Sequence, residues 1–178
     1  MAASAALASG AAAAGLVACG GGDSDEAKTE TVSTVAIQSD IELLNVLLDL
    51  EHGAIVAYDT ILSPQFGPHE RVHAEALRRM IRELGGDPAP PRPAAEYRTA
   101  FPPLRDERDH LTFALDVEKT SIGAYADALG KIATDAARVT LAEILATESE
   151  HAAVVLGRFE RPQVPDAFVT GPPPQEEG

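Results

Sequence analysis

The chain has no tryptophan, a single cysteine and only 4% aromatic residues. A lone cysteine excludes a disulfide framework and any Cys-x-x-Cys zinc or rubredoxin-type centre. Few aromatics among many alanines favour helices over a β-sandwich. Positive charge is scarce too: 14 Lys plus Arg stand against 28 Asp plus Glu, a formal net charge of −14. No basic stripe is available to neutralise phosphates, so no nucleic-acid partner is expected. The same balance argues against electrostatic docking on anionic lipid. A strongly apolar run is also missing. The nearest approach is the first 18 residues, shorter and milder than the roughly 20 apolar residues that a membrane span needs. What remains, 178 residues with 45% hydrophobic, suffices for one domain with a proper core and tails.

Residues 1–18 are almost all Ala, Ser, Gly, Leu and Val, without charge, and run into Leu16-Val17-Ala18-Cys19, three glycines and Asp23-Ser24-Asp25-Glu26. An apolar segment closed by small residues reads as a secretory signal and is kept out of fold reasoning, with a plain Ala/Gly leader as the other reading. The residues closing at Cys19 resemble a bacterial lipoprotein box. That resemblance implies a lipidated Cys19 as the new N-terminus of an exported, cell-envelope protein, held durably if two or more acyl chains are attached. The basic segment that opens such signals is missing, since no Lys or Arg precedes Lys28; a start codon upstream of Met1 would account for it. Residues 20–38 read as a flexible acidic tether.

Helical spacing begins at residue 39, with Ser39 or Asp40 as cap. Leu44, Leu47, Leu48, Ala54, Ile55, Tyr58, Ile61 and Leu62 recur on one face until Ser63-Pro64 breaks the pattern. A second helix is expected over about 68–84, with Val72, Ala76, Leu77, Met80, Ile81 and Leu84 inward. Six prolines between 87 and 106 exclude a regular element there. A third helix is expected over about 108–132. A fourth, capped by Thr134 or Asp135, reaches about 159, and a Pro-rich tail follows over 161–178. No segment alternates as a strand does. Residues 39–160 therefore read as an all-α four-helix bundle, two antiparallel hairpins joined by one long Pro-rich crossover.

Each apolar stripe is interrupted by a carboxylate. Glu51 sits in the first, Glu70 and His73 in the second, Glu118 in the third, Glu148 and His151 in the fourth. One such Glu is ordinarily an edge residue whose stem packs while its head reaches water; four helices doing so together is a pattern. Residues at i and i+3 share a face, so Glu70 with His73 and Glu148 with His151 can each grip one metal. Bare carboxylates facing one another in a core are heavily destabilising. Either they hold protons at shifted pKa values or cations lie between them. Carboxylate with imidazole suits iron or manganese, with zinc as an alternative.

The set Glu51, Glu70-Arg71-Val72-His73, Glu118 and Glu148-Ser149-Glu150-His151 resembles the ligand pattern of the ferritin-like di-iron carboxylate superfamily, one Glu from each of two helices and Glu-x-x-His from each of the others. The chain is most similar to exported bacterial ferritin-like domain proteins. The resemblance implies two iron ions, with Glu51 and Glu118 as terminal ligands, Glu70 and Glu148 bridging, and His73 and His151 completing the shells. It implies oxidase- or peroxidase-type chemistry, and a tyrosine near the metals for hydrogen bonding or electron donation.

The hairpins look duplicated. Glu51-His-Gly-Ala-Ile-Val-Ala-Tyr58 aligns with Glu118-Lys-Thr-Ser-Ile-Gly-Ala-Tyr125, and Glu70-x-x-His73-Ala74 with Glu148-x-x-His151-Ala152. Tyr58 and Tyr125 are thus the candidate catalytic tyrosines, or else core aromatics whose hydroxyls reach a polar partner. One feature resists the repeat: Glu118 to Glu148 spans 30 residues and Glu51 to Glu70 only 19. At a helical rise of about 1.5 Å per residue the first pair should miss in height by roughly 10 Å. The first helix must end early, the second must be displaced, or the first half-site is degraded. His69 and His110 are expected on the surface, with Glu75, Glu83, Glu143 and Glu150; His52, one residue off the stripe, is expected to be exposed or else to flank the site.

Two function classes stay open at this point. One is a metal-dependent oxidoreductase of the cell envelope, which would need a reductant from a separate partner. The other is a binding or structural module with a degraded site and no metal, and a metal-binding or buffering protein without turnover lies between the two. A homodimer is compatible with a small bundle, though no exposed apolar stripe demands one.

Overall fold

The computed structural model describes residues 32–61 and 65–165. The expected signal, the expected lipobox at Cys19, most of the expected tether, Leu62 and the end of the tail lie outside them. Five helices and no strand occur among the described residues. They are α1 (Thr34–Thr60), α2 (Gly67–Glu83), α3 (Ala94–Arg98), α4 (Glu107–Leu129) and α5 (Asp135–Arg158). α1 with α2 and α4 with α5 form the two antiparallel hairpins. α1 also packs on α4, and α2 on α5.

α1 begins earlier than its periodicity suggests. Ser33, not Ser39 or Asp40, is its N-cap, its side chain accepting from the Ala36 N–H at 3.2 Å. The helix therefore takes in residues assigned to the tether. Asp40 is buried and does a different job. Its carboxylate accepts from the Ala133 N–H (2.9 Å), the Thr134 N–H (2.8 Å) and the Thr134 hydroxyl (2.6 Å). Thr134 is the N-cap of α5 and makes no cap bond of its own, so Asp40 satisfies the start of α5 from across the bundle. α4 is capped locally, Asp106 accepting from the Asp109 N–H at 2.9 Å.

α2 ends at Gly85, which adopts φ +86°, a left-handed stop that favours glycine. A Cβ on the next residue, Gly86, would stand 2.6 Å from Ile41 Cγ2, so the chain leaves α2 pressed against α1. The buried face of α2 is Glu70, His73, Ala74, Leu77, Met80 and Ile81. Val72, expected inward, is 66% exposed. Its direction lies roughly 100° from that of His73, and His73 is the residue turned inward.

The crossover is more ordered than its prolines imply. Pro93 precedes α3, a single turn that contains none of the six prolines. Tyr97 of this turn donates to Asp49 at 2.6 Å, and Arg92 grips the same carboxylate with two N–H groups at 3.1 and 2.8 Å while lying over the Tyr97 ring. The Ala89 N–H donates to Asn45 at 2.7 Å. These contacts fasten the crossover along α1. The core forms two apolar clusters, one around Leu44, Leu48, Leu77, Ile81 and Leu141, the other around Tyr58, Phe66, Leu115, Ile122 and Val155. Along α1, α2 and α5 the acidic residues fall between the two.

Candidate metal centre

Each of the six expected side chains is buried. Glu51 and Glu118 are 0% exposed, Glu70 and Glu148 1%, His151 3% and His73 7%. They meet in two groups. Glu51, Glu70, His73 and Glu148 bring one donor atom each within 4.8 Å of one another, and so do Glu70, Glu118, Glu148 and His151. Glu70 and Glu148 belong to both groups, one oxygen to each. The two oxygens of Glu70 lie 3.2 Å from His73 Nδ1 and 3.3 Å from His151 Nδ1. Those of Glu148 lie 3.0 Å from His73 Nδ1 and 3.5 Å from His151 Nδ1. Glu51 faces only the His73 side, at 3.8 Å, and Glu118 only the His151 side, at 3.5 Å.

The two tyrosines cross between hairpins. Tyr58 of α1 donates its hydroxyl to Glu118 of α4, and Tyr125 of α4 donates to Glu51 of α1. In both pairs the bond goes to Oε1 and leaves Oε2 facing the centre. The sequence repeat is thus a spatial one. Each tyrosine orients the carboxylate of the other half.

The shortened hairpin does not break the site. Glu51 and Glu70 converge, so the roughly 10 Å miss in height does not occur. α1 ends nine residues after Glu51, close to the eleven that follow Glu118 in α4. The missing length is taken from the start of α2, where Glu70 comes three residues after Gly67, whereas Glu148 comes thirteen after Asp135. Glu70 thus lies in the opening turn of α2, while Glu148 lies midway along α5. Phe66 seats the start of α2. It is buried, meets the Tyr58 ring edge-on at 5.5 Å and stacks on His151 at 4.4 Å.

Electrostatics show what such a cluster requires. Burial, then the nearby Glu148 and Glu70, push Glu51 up to about 8 despite the hydrogen bonds that favour its anion. Burial also raises Glu118 well above the usual carboxylate range. Burial acts against the charge on Glu148 as well, but the close approach of the His151 and His73 imidazoles outweighs it and holds that carboxyl down to about 2. Burial would lower the imidazoles, yet the surrounding carboxylates win and raise His73 to about 12 and His151 to about 11. Positive charge is drawn into the site as protons. Even so, Glu51 Oε2, Glu70 Oε1, Glu118 Oε2, Glu148 Oε1 and His151 Nδ1 are buried without a hydrogen-bond partner among the described residues. Buried polar atoms are rarely left so. Five of them, from five residues and facing one another, fit a pair of cations with mixed carboxylate and imidazole donors.

The remaining histidines divide. His52 is buried, not exposed, with Nε2 2.8 Å from the Arg78 guanidinium; burial and then Arg78 lower its pKa. It stands outside both groups. His110 is half-buried. His69 is exposed as expected, but its Nδ1 lies 2.8 Å from His151 Nε2, a partner that spacing does not reveal because α5 supplies it. Glu75, Glu83, Glu143 and Glu150 are exposed.

A family model described as a ferritin-like domain matches residues 62–159, more than half of the chain and five of the six clustered side chains. No curated protein matches the chain. The helical architecture and the matched family agree: this chain belongs to the ferritin-like domain family.

Proposed function

We propose that the protein binds two metal ions, iron or manganese before zinc, between the two helical hairpins, and that it carries out oxidase- or peroxidase-type chemistry. The observation that carries this reading is the set of five unpartnered buried atoms converging from four helices. Glu51 and Glu118 would each serve one ion, Glu70 and Glu148 would give one oxygen to each, and the Nδ1 atoms of His73 and His151 would complete the two sets. Such a pair, when bound, supplies redox chemistry toward oxygen or peroxide. The chain itself supplies geometry. Tyr58 and Tyr125 hold the outer carboxylates in place from across the bundle, and the two apolar clusters keep bulk water out. Reducing equivalents would come from a separate partner.

The test is elemental analysis of chain purified without chelator, with and without anaerobic Fe(II). About two ions per chain, lost in Glu148→Ala, support the reading. A metal-free chain whose melting temperature ignores Fe(II), Mn(II) and Zn(II) would sink it. Binding without turnover is the second reading, favoured by the near-complete burial of every donor; loaded protein that consumes neither oxygen nor peroxide would select it.

Cys19 in its lipobox context supports export and anchoring at the cell envelope. No helix among the described residues is long and apolar enough to cross a membrane. A Cys19→Ala variant should leave the membrane fraction and take up no labelled palmitate.

A further inference from the structure

The two halves of the centre carry the same kinds of donor in unlike surroundings. His151 turns Nδ1 into the cluster, where no hydrogen bond holds it, and Nε2 outward to Nδ1 of His69 at 2.8 Å. The His69 and His151 rings lie 22° from parallel with centroids 5.0 Å apart. Phe66 stacks on His151 at 4.4 Å. Among the described residues His73 has no such partner. The repeat that pairs Glu70 with Glu148 places Thr147 where the first hairpin has His69, and the Thr147 hydroxyl is spent on the Glu143 carbonyl at 3.2 Å. His73 and Thr147 instead line a cavity of about 270 Å³ together with Arg79 and Thr140.

An imidazole that offers Nδ1 to a metal keeps its proton on Nε2, and the partner of that proton fixes both tautomer and ring orientation. At 3% exposure, His151 must find that acceptor within the protein. His69 Nδ1 provides it when His69 carries its own proton on Nε2.

We infer that His69 is a positioning residue for His151, and that the Glu118–His151 half of the centre therefore takes the first metal ion and the Glu51–His73 half the second. This rests on the reading of the centre as a pair of metal sites. The ligand types are matched between halves, so the difference in affinity comes from the support behind one imidazole.

Cobalt(II) is the probe, because its visible absorption reports coordination without oxygen chemistry. Titration of the full chain should show two resolved steps. Glu118→Gln should remove the tighter and Glu51→Gln the weaker. His69→Ala should weaken the tighter step about 10- to 100-fold and leave the weaker in place. His69→Asn, whose Oδ1 can accept from the same N–H, should restore most of the loss. Unchanged stepwise affinities in His69→Ala, or no recovery in His69→Asn relative to it, would overturn the inference while the metal centre stands. Failure of the wild-type chain to bind cobalt would overturn the metal-centre reading, and this inference with it.

Discussion

The α1–α2 and α4–α5 hairpins deliver equivalent side chains to one place along very different paths. In the second hairpin the chain climbs and descends as helix, with long arms on both sides of its turn. In the first, α1 keeps its length beyond Glu51 while α2 starts only three residues before Glu70, so that Glu70 lies in the opening turn of α2. The comparison teaches that this centre depends on where donor atoms meet and not on helix length. About three turns fewer separate Glu51 from Glu70 than Glu118 from Glu148, with register kept and the start of α2 anchored. Phe66 is that anchor in the first hairpin, and Asp40 secures the turn of the second from outside.

The largest effect that would break the equivalence comes from a residue shared by both halves. Glu148→Ala should abolish binding of both ions, measured by elemental analysis, whereas Glu51→Gln should cost one. Protons compete for the same atoms, so pH comes next. Glu51, raised to about 8, and His73 and His151, raised to about 12 and 11, favour the metal-free fold at low pH. The stability contributed by Glu51 is complete below its unfolded value of about 4.5 and is lost as pH rises through 8. That of the histidines is complete below about 6.5 and is lost toward 11 to 12. Metal must displace these protons. From pH 6 to pH 8 the melting temperature of metal-free protein should therefore fall while the increment given by Zn(II) grows, both read by thermal denaturation.

Asp40→Ala strips three donors at the α4–α5 turn of their acceptor. It should destabilise the chain by about 2 kcal/mol in urea unfolding, against about 1 kcal/mol for Asp106→Ala at the local cap of α4. Tyr125→Phe and Tyr58→Phe should each weaken one half, the former the Glu51 side and the latter the Glu118 side, by about tenfold in metal affinity. Equal effects on both steps from either variant would show that the crossed pairing does not act half by half. The smallest change is expected at Val72: Val72→Ser should stay within about 0.5 kcal/mol of wild type, because that side chain faces solvent.

Much of the site was legible because its grammar is local. Glu-x-x-His on a helix puts both side chains on one face whatever surrounds it, and the Glu-to-Tyr spacing repeats between hairpins. His52 reads as more exposed than it is because it neighbours Glu51 at the edge of the stripe, and spacing does not reveal the Arg78 guanidinium that meets its Nε2. Asp40 read as a cap for its own helix because Asp before an apolar run usually is one; the bundle gives it the start of another. The proline-rich crossover read as structureless, yet α3 fits between its prolines and is held by Asp49.

The sequence by itself determined the four long helices, most of each inward stripe and the six buried Glu and His side chains, since helical periodicity of about 3.6 residues links spacing to direction with no further information. Tertiary structure alone decided their heights, the crossing of Tyr58 to Glu118 and Tyr125 to Glu51, and the pairing of His69 with His151. Those relations join segments up to 82 residues apart. Periodicity says which way a side chain points but not how far along the bundle its helix has been set, and that offset is fixed only when connections close and opposing faces pack.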